Sequence, residues 1–298
     1  MIVVFGSLNL DLIAWVETLP RSGQTVPAHA FRSEAGGKGG NQALAASLDG
    51  CRVAMVGSVG SDSFAEPVLE RLRSAGVTLD DVAHRDGATG CALISVDGAG
   101  CIHIAVHAGA NAQSRAAQLP DALLTPDTVL LLQMELPAEE NAKAIRRARA
   151  RGARVMLNLA PSLPMAEDAL MAVDWLIVND DEAQWLAQTL GVAPTAAGLS
   201  RRLGVGVVRT RGGSGLEAVW AEGELCLPAH AVEVVDSTAA GDCFTGVFAA
   251  GLERGLDISL ALRRANAAAA LACIRPGSQS SLPSAATTDG RLSGNGAL

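Results

Sequence analysis

Short runs of apolar, often β-branched residues recur along this chain and alternate with longer segments of helical pattern. The runs that predict strands are Ile2–Phe5, Val53–Val56, Val129–Leu132, Val155–Leu159, Trp175–Val178 and Val205–Arg209. The segments that predict helices between them include Phe64–Ala75, Glu139–Arg151 and Asp181–Leu190. This alternation favours parallel strands joined by crossover helices. Because the strand runs are apolar almost throughout, we expect helices to cover both faces of the sheet.

One region breaks the alternation and predicts a β-hairpin. Its strands are Cys91–Val96 and Cys101–Val106, and Asp97-Gly98 begins the turn between them. In the second strand, apolar positions alternate with mixed ones, so one face of the hairpin is apolar. Since a two-stranded hairpin is only marginally stable by itself, we expect Leu12–Val16 and Ala28–Arg32 to join it in a small second sheet.

Composition narrows the class of protein. The chain has 298 residues, of which 49% are hydrophobic but only 3% aromatic, so its core must be built mainly from Ala, Leu and Val. Its net charge of −8 and its scattered basic residues argue against nucleic acid or an anionic membrane as a partner. The six cysteines have no metal-binding spacing and suit a reducing compartment. The sequence shows neither the basic region of a signal peptide nor an apolar run of the roughly 20 residues that a membrane span requires. We therefore expect a cytoplasmic protein.

The first candidate for chemistry is a loop of small residues between two carboxylates. It runs from Asp236 through Ser237-Thr238-Ala239-Ala240-Gly241 to Asp242, and the apolar run Cys243–Leu252 follows it. The amides at a helix start have no intrahelical partners and the helix dipole is positive there, so such a loop binds anions. A carboxylate in the same turn can take a proton from a hydroxyl during phosphoryl transfer. A helix capped by Asp242 is the alternative that this segment leaves open.

A second loop is rich in glycine and also precedes a helical run. Gly36, Gly37, Gly39 and Gly40 surround Lys38, and Asn41 follows them. Glycines let another molecule approach the backbone closely and permit positive φ angles. The spacing is neither that of a Walker A loop nor that of the dinucleotide fingerprint. The amide of Asn41 suits recognition of a polyhydroxylated ligand, whereas a flexible surface loop is the alternative.

Together, the two loops resemble the signature regions of the ribokinase-type sugar kinases, the PfkB family. Other segments agree with that family in the same order: Gly6–Asp11, Pro20–Thr25, His107–Asn111, Asn158–Pro161, Asn179–Glu182, Thr210–Gly215 and Arg275–Ser281. The resemblance covers nearly the whole chain up to about Pro283 and, within the family, is strongest to ribokinases. It implies a three-layer α/β/α core with a mainly parallel central sheet and a small β-sheet lid.

The resemblance also implies how the chain is divided. A single kinase domain would occupy residues 1–283, with lid segments at about 10–34 and 88–108 inserted in the α/β core. In this family the lid covers the sugar site and in many members supplies a dimer contact, so a homodimer is expected. Residues 284–298 have few apolar anchors, and we expect a flexible tail there without a helix.

The activity implied by the resemblance is ATP-dependent phosphorylation of a sugar hydroxyl, with D-ribose converted to D-ribose 5-phosphate as the first expectation. The alternatives among substrates are another sugar, such as fructose or a keto-deoxy sugar acid, and a nucleoside. A catalytically silent regulator that binds sugar or nucleotide is a more distant alternative. Such a protein would be expected to have lost Asp242 or Gly241, and both are present.

Residue roles carry over position by position. The family's catalytic base falls on Asp242, and its anion hole falls on the amides of Ala239, Ala240, Gly241 and Asp242. The sugar-binding positions, besides Asp242, are Asn9, Asp11, Gly37, Lys38, Gly39, Gly40, Asn41 and Glu135. Short carboxylates and amides suit recognition of adjacent hydroxyls. From the residues alone, Asn9 and Asp11 are also typical of a turn, and Glu135 of a solvated charge at a strand end.

For ATP, the resemblance implies a binding loop after the sixth predicted strand and further contacts elsewhere. The positions are Asn179, Thr210, Arg211, Gly212, Gly213, Ser214, Gly215, Gly241 and Asn266. Asn266 stands where many ribokinases have His, and Arg211 replaces a more commonly apolar residue. Glu182 is expected to organise Mg²⁺ and its waters, since this ion needs few protein ligands. Its alternative role is a favourable charge at a helix N-terminus.

A potassium ion is also implied, beside the loop at residues 236–242. Its ligand positions, through carboxylate, backbone or hydroxyl oxygens, would be Asp236, Thr238, Ala272, Arg275, Gly277 and Ser281. Such a cation would tether this loop to the C-terminal segment, so we expect activity to rise with K⁺.

Overall fold

Strands and helices alternate along residues 1–294, the part of the chain that the computed structural model describes. The strands are β1 (Ile2–Phe5), β2 (Asn9–Val16), β3 (Ala28–Gly36), β4 (Val53–Gly60), β5 (Thr78–Arg85), β6 (Gly90–Val96), β7 (Ile102–His107), β8 (Val129–Gln133), β9 (Arg154–Asn158), β10 (Trp175–Val178), β11 (Gly206–Thr210), β12 (Leu216–Trp220) and β13 (Gly223–Leu227). The helices are α1 (Lys38–Leu48), α2 (Ala65–Ser74), α3 (Ala138–Ala150), α4 (Glu167–Leu170), α5 (Asp180–Leu190), α6 (Ala196–Leu203), α7 (Ala240–Glu253), α8 (Ile258–Ala272) and α9 (Ala285–Leu292). None of these helices is long and apolar enough to cross a bilayer.

The larger sheet has nine strands in the order β13-β12-β11-β10-β9-β8-β1-β4-β5. Its strands are parallel from β11 to β5, and only the β12 and β13 edge is antiparallel. In β1, Ile2 and Val4 pack on the face that α1, α7 and α8 cover, whereas Val3 and Phe5 pack against α3, α5 and α6 on the other. The prediction of a mainly parallel sheet covered on both faces is therefore confirmed.

The smaller sheet has four strands in the order β3-β2-β6-β7, which confirms the predicted lid. The turn of its hairpin has five residues, because Val96 pairs with Ile102. The Asp97 carboxylate accepts hydrogen bonds from the amides of Ala99 and Cys101, both at 2.9 Å, and thereby fixes the turn. Strand β7 forms one edge of this sheet, and every residue in it is exposed.

The C-terminal segment corrects one expectation. Residues 285–292 form helix α9, whereas the sequence predicted a tail without a helix. Ser284 caps this helix by accepting a hydrogen bond from the amide of Thr287, and Asp289 forms an ion pair with buried Arg264 of α8. Arg291 donates to the carbonyl of Ala231 at 2.9 Å. Polar contacts anchor α9 in place of an apolar stripe, so hydrophobic pattern was a poor guide there; residues 295–298 lie outside the described part of the chain.

Candidate active site

The candidate site lies at the carboxyl edge of the large sheet, where the loops after β1, β8, β9, β10 and β11 meet. Ligands of open α/β sheets bind at this edge. A cavity of about 220 Å³ opens there. Its polar lining comes from Lys38, Asn158, Asn179, Glu182, Thr210, Ser237 and Asp242, so it joins residues from the glycine loop, the strand ends and the loop before α7.

Asp242 lies in the first turn of α7 and is 5% exposed. Its carboxylate accepts one hydrogen bond from Asn41 Nδ2 at 2.9 Å and one from Gln42 Nε2 at 2.8 Å. Both donors belong to α1, so the two helices meet at this carboxylate. Asp242 makes no capping hydrogen bond, and the N-cap position of α7 is occupied by Ala239. The alternative of a helix capped by Asp242 is therefore wrong.

Behind Asp242 lies a hydrogen-bonded group of buried amides that sequence reasoning missed. Gln133 Nε2 donates to Gln42 Oε1 at 2.7 Å, and Gln42 Nε2 also reaches Asn158 Oδ1 at 3.0 Å. Gln133 ends β8 and Asn158 ends β9, so neighbouring parallel strands bring them together. A polar residue at the end of an apolar strand is the sequence signal that could have identified both positions.

The loop before α7 contains the four amides that the sequence predicts for an anion hole, and the structure gives their hydrogen-bond partners. Ala239 adopts a φ of +58°, the left-handed region, and initiates the helix. The amides of Ala239, Gly241 and Asp242 donate no hydrogen bond to any group within residues 1–294. The amide of Ala240, however, donates to the carbonyl of Ser237 at 3.2 Å and so is partly occupied. Three of the four predicted amides thus have no hydrogen-bond partner within residues 1–294.

The glycine loop is a buried helix start and not a flexible surface loop. Gly39, Gly40 and Asn41 are buried in the first turn of α1. Gly37 has a φ of +84°, and a Cβ at Gly39 would lie 2.5 Å from the amide nitrogen of Ser7. Glycine is needed because this turn packs directly against the backbone that follows β1.

Lys38 is half-buried and faces the cavity together with Asp242 and Glu182. The pKa of the Lys38 ammonium group is raised mainly by the negative charge of Asp242. Glu135 and Glu182 contribute to this rise, and burial opposes it. Its backbone amide donates to Glu135 Oε2 at 3.0 Å. The charged form of Lys38 is therefore held where negative groups converge.

The residues predicted to bind sugar come from β2 of the lid sheet, from the glycine loop at the start of α1 and from the segment after β8. Asn9 and Asp11 are buried within β2, so the alternative of a turn is wrong. Asn9 Oδ1 accepts a hydrogen bond from Asn111 Nδ2 at 2.7 Å. Glu135 accepts from Ser7 Oγ at 2.5 Å and from Lys38, so it fixes the glycine loop and is not simply a solvated charge.

Asp11 has a carboxyl group that is buried close to other carboxylates. Burial raises the pKa of its carboxyl from 3.8 to about 7, with Glu135, Glu34 and Asp242 contributing and Lys38 opposing. A Cβ at Gly36 would lie 2.2 Å from Asp11 Oδ2. The carboxyl group is thus enclosed by backbone on one side and by other carboxylates nearby.

A second cavity of about 690 Å³ adjoins the first and contains most of the predicted nucleotide positions. The two cavities share Thr210, Ser237 and Gly241. Asn266 lines the second cavity and donates to the carbonyl of Pro228 at 2.9 Å. Gly212, Gly213 and Gly215 line it as well. Arg211 and Ser214 are exposed and line neither cavity.

Asn179 and Glu182 form a capping box at the start of α5. The amide of Glu182 donates to Asn179 Oδ1, and the amide of Asn179 donates to Glu182 Oε2, both at 2.8 Å. Burial raises the pKa of Glu182 despite the hydrogen bond from Asn179 and the charge of Lys38. The structural role at a helix N-terminus is therefore confirmed, and the same side chain also lines the first cavity.

The predicted potassium positions are only partly brought together by contacts in the structure. Asp236 Oδ1 accepts from the amide of Thr238, and Asp236 Oδ2 accepts from the amide of Gly277, both at 2.9 Å. Burial would raise the pKa of Asp236, but hydrogen bonds from the side chain and amide of Thr238 and from the amide of Gly277 outweigh it and lower that pKa. Among the described residues, no hydrogen bond joins Ala272, Arg275 or Ser281 to Asp236. No cluster of three or more His, Cys, Asp and Glu side chains in residues 1–294 has metal-binding geometry.

Known proteins include relatives that match nearly the whole chain. The pattern that defines the pfkB family carbohydrate kinases matches residues 1–285. The chain is 33% identical to the ribokinase of Bacillus subtilis over 287 residues, which cover 95% of this chain and 96% of the relative. It is 31% identical to the deoxyribokinase of Salmonella typhi over 292 residues, covering 95% of each.

Solved structures show the same fold. The ribokinase of Thermotoga maritima has a TM-score of 0.92 at 29% identity, covering 98% of this chain and 99% of the other. The ribokinase of Arabidopsis thaliana, complexed with ribose and ATP, has a TM-score of 0.88 at 29% identity, covering 98% of each chain. The shared fold, the family pattern and the matching order of site segments lead to one conclusion. This chain belongs to the PfkB family of carbohydrate kinases.

Proposed function

We propose that this protein transfers the γ-phosphoryl group of ATP to the 5-hydroxyl of D-ribose, with Asp242 as the general base. The observation that supports this most strongly is the position of Asp242. It is a buried carboxylate at a helix start, beside free amides and at the wall of a cavity. The ribokinase relatives and the Arabidopsis structure with ribose and ATP support the choice of substrates.

In this proposal, Asp242 takes the proton of the attacking hydroxyl. Asn41 and Gln42 hold its carboxylate through one hydrogen bond to each oxygen, so the carboxylate cannot rotate away. The amides of Ala239, Gly241 and Asp242 stabilise the charge that develops on the phosphoryl oxygens. Lys38 faces the same cavity, and its ammonium group neutralises further phosphate charge. Lys38 thus acts on the phosphate, although the sequence grouped it with the sugar positions.

Sugar binding is assigned to residues of β2 in the lid sheet and of the glycine loop. Asn41 Nδ2 donates a hydrogen bond to Asp242. The Oδ1 atom of Asn41 is buried and has no hydrogen-bond partner in residues 1–294. An unpaired buried acceptor is costly, and a sugar hydroxyl would satisfy it. Asp11 and Asn9 supply further oxygens from β2. Gly37, Gly39 and Gly40 let the loop backbone lie close to the same space.

ATP is assigned to the second cavity, with its phosphates directed toward the first. Mg²⁺ would be held by the phosphates and water, with Glu182 reaching it indirectly, because this ion retains most of its waters. The residues fit this role, since Glu182 lines the cavity as a buried carboxyl group. The magnesium ion would supply neutralisation of the β- and γ-phosphate charge.

A monovalent cation is proposed at Asp236, whose carboxylate retains unused lone pairs beside Thr238 and Gly277. We expect turnover to be higher in K⁺ than in a bulky organic cation at the same ionic strength. Equal turnover in the two salts would contradict this assignment. Titrating K⁺ at saturating ATP and sugar separates a specific site from a general salt effect.

A homodimer through the lid is proposed from the exposed apolar side chains of β7. Ile102, Ile104 and Val106 are 52%, 60% and 59% exposed. Val106 pairs with Ala92, and Ala92 pairs with Asp11, so these side chains share the sheet face of the sugar site. Covering them with a second lid would bury apolar surface next to the substrate. Sedimentation equilibrium measures the oligomeric state directly. A protein that is monomeric at micromolar concentration would exclude this dimer.

The second candidate is a kinase for 2-deoxyribose, which the resemblance to a deoxyribokinase favours at nearly the same identity. A panel of ribose, 2-deoxyribose, fructose, a keto-deoxy sugar acid and a nucleoside, measured by ADP release, discriminates among the substrates. We expect the highest kcat/KM for ribose. If another sugar or a nucleoside exceeds ribose by tenfold or more, the ribose assignment fails while the kinase assignment remains.

A further inference from the structure

Ala239 has the one positive φ angle of any residue other than glycine in residues 1–294. Its φ of +58° and ψ of 8° lie in the left-handed region, where a Cβ approaches the following carbonyl oxygen. Glycine adopts this conformation without strain. Backbone strain of this kind persists only where surrounding contacts enforce it.

The position of Ala239 gives that strain a consequence for the proposed phosphoryl transfer. Ala239 lines the cavity that contains Lys38 and Asp242, and its carbonyl accepts from the amide of Cys243 at 2.8 Å. Its φ and ψ set the angle between the peptide before it and the peptide after it. If Ala239 relaxed to a negative φ, the orientation of its free amide relative to those of Gly241 and Asp242 would change.

Asp236 makes the hydrogen bonds that restrain the loop directly before Ala239. One carboxylate oxygen holds the amide of Thr238, directly before Ala239, and the other holds the amide of Gly277. The start of the same loop is fixed too, because the amides of Val235 and Asp236 donate to the carbonyl of Cys273. A distant segment of the chain thus helps to restrain the loop that contains Ala239, since Gly277 lies 41 positions after Asp236.

We propose that Ala239 is a strained positioning residue that makes the anion hole depend on the Asp236 bridge to Gly277. The inference rests on the proposed function, since it assigns the amides near Ala239 to the phosphoryl group. With alanine at this position, the active arrangement is reached only while the bridge holds the loop. With glycine, the same arrangement would be reached without strain and would need the bridge less.

A double-mutant cycle tests the coupling between the two residues. The variants are A239G, D236N and the double variant, with kcat and KM measured for ATP and sugar. We expect D236N to lower kcat by about tenfold to a hundredfold, which is less than the roughly hundredfold to thousandfold loss on outright removal of an anion-hole donor, and to change the sugar KM less than about threefold. In the A239G background, we expect the same D236N substitution to cost at least about fivefold less in kcat, because coupled residues are non-additive.

The matched control is A240G, which introduces glycine one position later, inside α7. Ala240 has no positive φ, so A240G relieves no strain, and we expect the loss caused by D236N to be unchanged in that background. Thermal melting gives a second readout without catalysis. A239G should melt higher than A240G by roughly 2–4 °C, since glycine relieves strain at 239 but only loosens a helix at 240.

Two results would overturn the inference. One is an equal kcat loss from D236N in the wild-type and A239G backgrounds with all variants folded by circular dichroism. The other is an A239G melting temperature no higher than that of A240G, a measurement that remains valid even if D236N fails to fold. The proposed function fails separately, if Asp242→Asn retains activity, so the two failures are distinguishable.

Discussion

Helices α1 and α7 begin side by side at this site, and their first turns are held in different ways. The start of α1 is buried, and its glycines pack against the backbone of Ser7 and Asn9 with no space for a side chain. The start of α7 is more open, since a Cβ at Gly241 would meet no atom within 4 Å. Ala239 there is strained and depends on the hydrogen bonds that Asp236 accepts.

The comparison suggests a division of roles. Packing fixes the start of α1, so it serves as a rigid reference for the sugar and for the carboxylate of Asp242. Hydrogen bonds fix the start of α7, so its amides can be adjusted by a charge or a cation near Asp236. Close packing tolerates little change, whereas a hydrogen-bonded loop can have two arrangements of similar energy.

The largest expected effect comes from the residue where the two helix starts meet. We expect Asp242→Asn to lower kcat by about a thousandfold or more, because the general base and part of the preorganised site are lost. ATP binding, measured by calorimetry, should change little. Asp257→Asn is the matched control, since Asp257 caps α8 through the amides of Ser259 and Leu260. It should lower stability by less than about 1 kcal/mol, because Asn caps a helix about as well as Asp and only the charge at the helix N-terminus is lost, and it should leave kcat unchanged.

The packing difference predicts opposite effects on stability for two Gly→Ala substitutions. Gly39→Ala should destabilise the protein by about 3 kcal/mol, because its methyl group would lie 2.5 Å from the amide nitrogen of Ser7. Gly241→Ala should leave stability unchanged or raise it by up to about 1 kcal/mol, since alanine favours the helix and space is open. Urea unfolding of both variants measures the difference. Equal losses would show that the two helix starts are packed alike.

The hydrogen bond that links the two helices is tested by Gln42→Leu. We expect kcat to fall by about tenfold to a hundredfold, because Asp242 loses one of its two donors and can rotate. Ser47→Ala is a suitable control on the same helix, as its hydroxyl donates to the carbonyl of Ala75, away from the site. The prediction is contradicted if Gln42→Leu and Ser47→Ala have the same kcat.

The smallest effect concerns pH and Asp11, next to the start of α1. Because burial raises the pKa of Asp11 to about 7, its carboxylate form becomes dominant only above that pH. We expect kcat/KM for the sugar to rise by up to about tenfold between pH 6 and pH 8, if ionised Asp11 accepts hydroxyl hydrogen bonds. Asp11→Asn should have lower kcat/KM and lose this rise. A wild-type profile without any rise in this range would show that Asp11 does not govern sugar binding.

The same pKa has a consequence for stability with a defined sign. The folded-state pKa of Asp11 lies above its ordinary value of 3.8, so the folded protein retains the proton more strongly than the unfolded chain. Stability from this group is greatest below about pH 4 and is lost as the pH rises through about 7. Asp11→Asn should therefore raise the melting temperature more at pH 8 than at pH 5. The difference between the two pH values, measured by calorimetry, cancels effects of the substitution that do not involve charge.

Sequence pattern predicted the elements where hydrophobic order was strong. Apolar strands such as Ile2–Phe5 and Trp175–Val178 have the predicted bounds. The pattern did not identify β5 or the antiparallel edge formed by β12 and β13. In β5, Thr78–Arg85, polar residues occupy most positions because a strand at the sheet edge is only partly covered. Helix α9 was missed for a related reason, since ion pairs and a cap hold it in place of an apolar face.

For the site, the chain by itself determined which residue types and loops were available, because the order of short motifs is a property of the sequence. Only the tertiary structure decided how they act together. The amide group formed by Gln42, Gln133 and Asn158 joins residues from three separate elements, which no local spacing predicts. Lys38 and Glu182 line one cavity, and the carboxylate of Asp236 accepts a hydrogen bond from Gly277, because packing brings distant parts of the chain together. Hydrogen bonds and charge interactions depend on distance in space, and folding alone fixes that distance.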